Sequence, residues 1–127
     1  MNMEDMVKEA NIKYEVTGVK FYEPGEGVAA DIGFTKEKFK GYIVVDSGKK
    51  RRPELIFSMV ISIDADKGNF KQCVVKALEK GYKVIIPTPL GKLETLLVKW
   101  KFKRRMVRDP MMGMVEIWER EKRLDKC

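Results

Sequence analysis

The chain has 127 residues, with 26 Lys or Arg against 19 Asp or Glu and no histidine, for a formal charge of +7. That length predicts one domain over 1–127 with a core of its own. The missing histidines exclude Ser-His and Cys-His nucleophilic chemistry and the usual base near neutral pH. The two cysteines, Cys73 and Cys127, have no CxxC spacing, so neither a zinc centre nor a disulfide framework is expected, and no metal. The positive charge implies attraction to polyanions. No apolar run approaches the roughly 18 residues of a membrane span. The acidic opening Met1–Met6 lacks the apolar core of a secretory signal. A cytoplasmic protein without membrane contact is the expectation.

In chain order, 3–10 has room for a helical turn or two at the periphery of the domain. Ile12–Val16 and Val19–Tyr22 alternate β-formers with other residues around Gly18, which marks a bulge or turn. Pro24–Gly27 is a loop, Val28–Phe34 reads as a short strand, and Thr35–Lys40 is too short and polar to assign. Gly41–Asp46 and Leu55–Ile63 are strong strands, joined by a loop that carries Lys49, Lys50, Arg51 and Arg52 in succession. The second of these is nearly all apolar, which predicts burial on both faces and a central place in a sheet.

Asn69–Lys80 sets Phe70, Cys73, Val74, Ala77 and Leu78 on one helical stripe, with Gly81 as its stop. Tyr82–Ile86 is a short buried strand. Thr88 and Pro89 suit an N-cap and first helical residue, and Leu90, Leu93, Leu97 and Trp100 form the next stripe. Met106-Val107, the turn Asp109–Gly113 and Met114–Trp118 follow as strand, turn, strand, and 119–127 is a charged peripheral tail expected to fray. The order predicts a mixed α/β (α+β) fold: a mainly antiparallel central sheet flanked by helices, with a right-handed crossover at its centre.

One stretch carries chemistry. From Ile61 to Phe70 a strand passes through a glycine-bearing turn into a helix N-terminus, a backbone device for holding phosphate. Lys67, Gly68 and Asn69 read either as an anion nest or as an ordinary strand-to-helix turn capped by Asp66 or Asn69.

This order, with Leu96–Arg104 and Gly113–Trp118, resembles the C-terminal two-thirds of the GCN5-related N-acetyltransferases over roughly residues 42–118. The resemblance implies an acyl-CoA N-acyltransferase-like fold, acetyl-CoA as cofactor, and transfer of an acetyl group to an amine substrate. In that family the turn is Arg/Gln-x-x-Gly-x-Gly/Ala. Here Lys67-Gly68 matches the basic-Gly pair and Phe70 stands where a second small residue is expected, so its ring either blocks the phosphates or turns inward as core. Leu97 stands at the place of the family's proton-donating tyrosine, and Lys101-Phe102 at that of its Gly-Phe pair. The resemblance further implies that Lys67, Gly68, Asn69 and Phe70 hold the pyrophosphate and that amides of Ile61, Ser62 and Ile63 polarise the thioester carbonyl. It casts Glu54 as a base on the amine, directly or through water; the other reading is that Glu54 balances Arg51 and Arg52.

An alternative function is a non-enzymatic basic protein that engages nucleic acid or an acidic protein partner. Lys49, Lys50, Arg51 and Arg52 form one cluster; Lys99, Lys101, Lys103, Arg104, Arg105 and Arg108 form another. These cations either track a phosphate backbone or are solvated charges beside a helix C-terminus. Trp100 and Phe102 either stack on bases or belong to the core, where Trp100 completes the leucine stripe. Met106, Met111, Met112 and Met114 suggest an adaptable patch, and the closing hairpin a two-fold homodimer. Small size, degenerate motif and high charge suit a viral or mobile-element accessory factor.

Overall fold

A computed structural model describes residues 2–13, 17–48, 51–63, 68–87, 89, 92–109 and 113–123. In chain order the elements are α1 (Met3–Lys13), β1 (Val19–Tyr22), α2 (Gly27–Asp31), β2 (Phe39–Asp46), β3 (Glu54–Ser62), α3 (Asn69–Glu79), β4 (Lys83–Pro87), α4 (Lys92–Lys99), β5 (Lys103–Asp109) and β6 (Gly113–Arg120). The strands form a six-stranded sheet in the order β1-β2-β3-β4-β6-β5, parallel only between β3 and β4. The fold is therefore mixed α/β, with a mostly antiparallel sheet flanked by helices.

The core lies on one face of that sheet. Ala29 of α2, Cys73, Val74, Ala77 and Leu78 of α3, and Leu97 of α4 pack with Phe39, Ile43, Val45, Leu55, Phe57, Val84, Ile86 and Trp118 in one buried cluster. Each fully buried Leu, Ile or Phe contributes about 1.5–3 kcal/mol relative to an exposed one. The α3 stripe falls where its period places it, and Gly81 at φ 92 lets the Gly81 and Tyr82 amides donate to Leu78 O and Ala77 O. Cross-strand partners share a face. Thus Val45 and Leu55 point to the helices, while Tyr42, Val44, Ile56, Met59 and Ile61 line the opposite face. Val7 of α1 is buried outside the main cluster.

Three expectations are corrected. The N-terminal segment is an 11-residue helix, which takes in Ile12 and Lys13 and leaves Tyr14–Val16 outside the described residues. Long-range bonding holds it: Asn11 accepts from the Phe21 amide at 2.7 Å and donates to the Phe21 carbonyl at 3.0 Å, so its carboxamide pairs with β1 as a strand residue does. Val28–Phe34 is not a strand, because the three-residue spacing of Ala29 and Ile32 sends both inward from a helical turn. Gly33 at φ 83 then closes that turn, with the Phe34 amide donating to Ala29 O at 2.8 Å. Glu119 and Arg120 belong to β6 and not to a tail. The Arg120 guanidinium donates to the carbonyls of Trp100, Lys122 and Arg123 at 2.7–2.8 Å, tying the chain after β6 to the end of α4.

Candidate functional site

The parallel pair is zipped over three positions only, Glu54↔Lys83, Leu55↔Val84 and Ile56↔Ile85. At that same level β3 carries a bulge. Ile56 pairs with Val44 and Met59 with Tyr42, so Phe57 and Ser58 together face Ile43. A bulge bends its strand and sharpens its twist. Beyond it β3 continues to Ser62 with no described β4 partner, and the two strands form a fork open at their C-terminal ends.

Gly41 of β2 sits at φ 113, and a Cβ there would lie 1.9 Å from the Met59 carbonyl oxygen. Only glycine lets β2 approach β3 this closely just past the bulge. Sequence reasoning took Gly41 as the start of a strand and missed Phe57 and Ser58 altogether. The glycine was the available signal, since a Gly inside a strand marks a bulge or a close backbone approach.

The fork changes the expectation for β3. It does lie centrally, but Met59, Ile61 and Ile63 are 46%, 58% and 51% exposed, because past the bulge they turn to the face that α2, α3 and α4 do not cover. Its amides also divide. Ile63 donates to Lys38 O at 2.8 Å, and antiparallel alternation gives Ile61 the same orientation toward β2. Of Ile61, Ser62 and Ile63, Ser62 alone turns its amide to the fork, where Val60 joins it. Exposed Ser58 stands at the crotch.

At the open end α3 begins. Gly68, at φ 69, is its N-cap residue and Asn69 its first helical residue, while Asp66, the other candidate cap, lies outside the described residues. A Cβ on Gly68 would meet nothing within 4 Å. The first-turn amides of Asn69 and Phe70 form the positive end of α3. Lys67 lies outside the described residues, with Asp64–Asp66. The Phe70 ring is half-buried and turns inward, 5.0 Å from Phe57 and 6.4 Å from Trp100 between ring centroids.

Glu54 sits at the zipped end of β3, four residues or roughly 13 Å along the strand from Ser58. It lies on the helix-poor face, with Asp46 across from it on β2 and Lys83 beside it on β4. The fold therefore gathers Ser62, Gly68, Asn69 and Phe70 at one end of the fork and sets Glu54 at the other. Leu97 is fully buried, and Lys101 takes φ 58, the backbone conformation a glycine favours.

The basic residues also fall into place. Arg51 and Arg52 both reach Glu121, Arg51 Nη2 to its carboxylate at 3.2 Å and Arg52 Nη1 to its carbonyl at 2.7 Å. Arg104 pairs with Glu116 at 3.2 Å, and Arg105 with Glu119 at 3.1 Å. Lys83 completes the latter site, 3.0 Å from Glu119. Burial opposes ionisation of Glu119, yet hydrogen bonds and charge from Lys83 and Arg105 hold its carboxyl below the usual range. Lys49 and Lys50 lie outside the described residues, as do Met111, Met112 and Cys127. Trp100 and Phe102 are 9% and 6% exposed and belong to the core. Cys73 is buried, which pushes its thiol up to about 11 and leaves it inert. Among the described residues no three His, Cys, Asp or Glu side chains gather as a metal site, and no helix is long and apolar enough to cross a membrane.

No family model, no curated protein and no solved structure matches the chain.

Proposed function

We propose that the chain binds acetyl-CoA in the fork between β3 and β4 and transfers the acetyl group to an amine. The observation that carries this reading is a coincidence of three features: the bulge at Phe57-Ser58, the end of the parallel ladder at Ile56, and the start of α3 at the glycine Gly68. An unpaired strand edge can bond an extended amide chain, and the helix N-terminus beside it favours phosphate. The residues fit the ligand, because Gly68 is open on its Cβ side and Phe70 keeps its ring in the core, away from the amides. Bound acetyl-CoA supplies an activated thioester.

In this reading Gly68, Asn69 and Phe70 donate amides to the pyrophosphate, with Lys67 adding charge. Val60 and Ser62 bond the extended arm, and the Ser58 amide at the crotch polarises the carbonyl. The amine approaches from the helix-poor face, and Glu54, roughly 13 Å along β3 from the crotch, draws off its proton through a chain of waters. Leu97 offers no hydroxyl, so protonation of the departing thiolate falls to solvent. Positioning then supplies most of the rate.

Thermal unfolding with and without acetyl-CoA tests the proposal. Ligand at 100 times its Kd adds about 2.7 kcal/mol of stability. Gly68→Glu is expected to remove that gain. Glu54→Gln should retain binding while lowering acetylation of a peptide amine by roughly a hundredfold. An unchanged unfolding temperature at millimolar acetyl-CoA refutes the reading.

A further inference from the structure

The end of the sheet opposite the fork collects charge that the acetyl-CoA reading does not use. Antiparallel pairing brings the ends of β2 and β6 to the starts of β3, β4 and β5, and α4 ends there too. Arg51 and Arg52, ahead of β3, thereby lie at the same end of the sheet as Lys99, Lys101 and Lys103, about 50 residues on in sequence. Of the acids at this end, Glu121 is engaged by Arg51 and Arg52 and Glu119 by Lys83 and Arg105, while exposed Glu79 lines a hollow with Arg52, Lys122 and Arg123. Arg120 bridges the two groups through its bonds to Trp100, Lys122 and Arg123 carbonyls. Around this framework Lys99, Lys101, Lys103, Lys122 and Arg123 are exposed and form no ion pair with a described residue. The α4 dipole complements Lys99 and Lys101 only in part, since that effect is small at an exposed helix end and fades within a turn.

We propose that this end is a docking face for the phosphate backbone of a nucleic-acid duplex, independent of the fork. Phosphates require only well-placed cations, whereas a protein partner is held by buried apolar and aromatic anchors. Aromatic anchors are scarce here: Trp100 and Phe102 are in the core, Met59, Ile61 and Ile63 lie toward the fork, and the large apolar side chains exposed on α4 and β5 are the aliphatic Leu96, Val98 and Met106. The same burial removes the aromatic platforms on which single-stranded bases stack, which favours sequence-independent contact with a duplex.

Fluorescence anisotropy of a labelled duplex of about 20 base pairs with the full chain, at salt from about 50 to 200 mM, tests the face. Five phosphate contacts give a log–log slope near −4.5, so affinity falls roughly 500-fold over that range at about 0.9 per contact. Replacing Lys99, Lys101 and Lys103 with Gln should leave a slope near −1.8 and a fall of roughly 12-fold. If that variant unfolds by circular dichroism, Lys122→Gln with Arg123→Gln gives the second reading, a slope shallower by about 1.8. Lys36→Gln, at the fork end, is expected to leave the slope unchanged. No binding at the lowest salt, a slope unmoved by folded variants, or binding of polyglutamate or phosphatidylserine vesicles in place of duplex each overturns the proposal. Gly68→Glu should not alter duplex affinity, so failure of the acetyl-CoA reading and failure of this one are separately visible.

Discussion

Replacing Gly41 with alanine tests whether the fork depends on one close backbone contact. The added Cβ would stand 1.9 Å from Met59 O and 2.7 Å from Met59 C, and both are backbone atoms that no side-chain rotation can clear. The φ of +113 adds strain for any L-residue, of order 1–3 kcal/mol. Relieving the overlap moves β2 against β3 by more than 1 Å, comparable to overpacking a core at about 1–3 kcal/mol. The expected loss is about 3–5 kcal/mol, a large part of a typical stability of about 5–15 kcal/mol. At about 4 °C per kcal/mol for a chain of this size, Tm should fall by roughly 12–20 °C. Gly81→Ala is the matched control. Its φ is +92 with nothing within 4 Å, so only the conformational cost of about 1–2 kcal/mol applies. Urea and thermal unfolding followed by circular dichroism compare the two. Equal losses would refute the claim that the Gly41–Met59 approach shapes this part of the sheet.

Two further outcomes follow from the same structure. Phe70→Ala removes a half-buried ring packed on Phe57 and Trp100 and should cost about 2–3 kcal/mol in urea unfolding, while acetyl-CoA affinity changes less than about threefold; a tenfold loss would place the ring in the phosphate site. Glu119→Gln breaks contacts to Lys83 and Arg105 and should cost about 1–3 kcal/mol near neutral pH. Because the folded carboxyl lies below its ordinary 4.5, this stabilisation is present above that value and is lost as pH falls through the lower, folded-state one. The gap between wild type and variant should therefore close in acid, and a gap independent of pH would contradict the assignment.

Much of the architecture can be read from local pattern. The α3 stripe, its Gly81 stop, the β2 and β3 strands and the β5–β6 hairpin all follow from periods of 3.6 or 2 that their own residues carry. Where a partner distant in sequence decides the outcome, local pattern misleads. Ile12 continues the β-like alternation of its neighbours, yet it is helical because Asn11 bonds Phe21. Val28–Phe34 is rich enough in apolar residues to pass for a strand, but Ala29 and Ile32 meet the core from a single helical turn.

The candidate site divides the same way. Residue types alone establish the absence of histidine chemistry, the basic charge and the strand–glycine–helix order around Gly68, since these depend only on which groups the chain carries and in what order. The tertiary structure decides that β3 leaves β4 at Ile56, that Ser62 and not Ile61 or Ile63 turns its amide to the opening, and that Arg51 and Arg52 share one end of the sheet with Lys99, Lys101 and Lys103. Each of these is set by strand register and order. Register is a property of paired strands, and a single strand's sequence does not contain it.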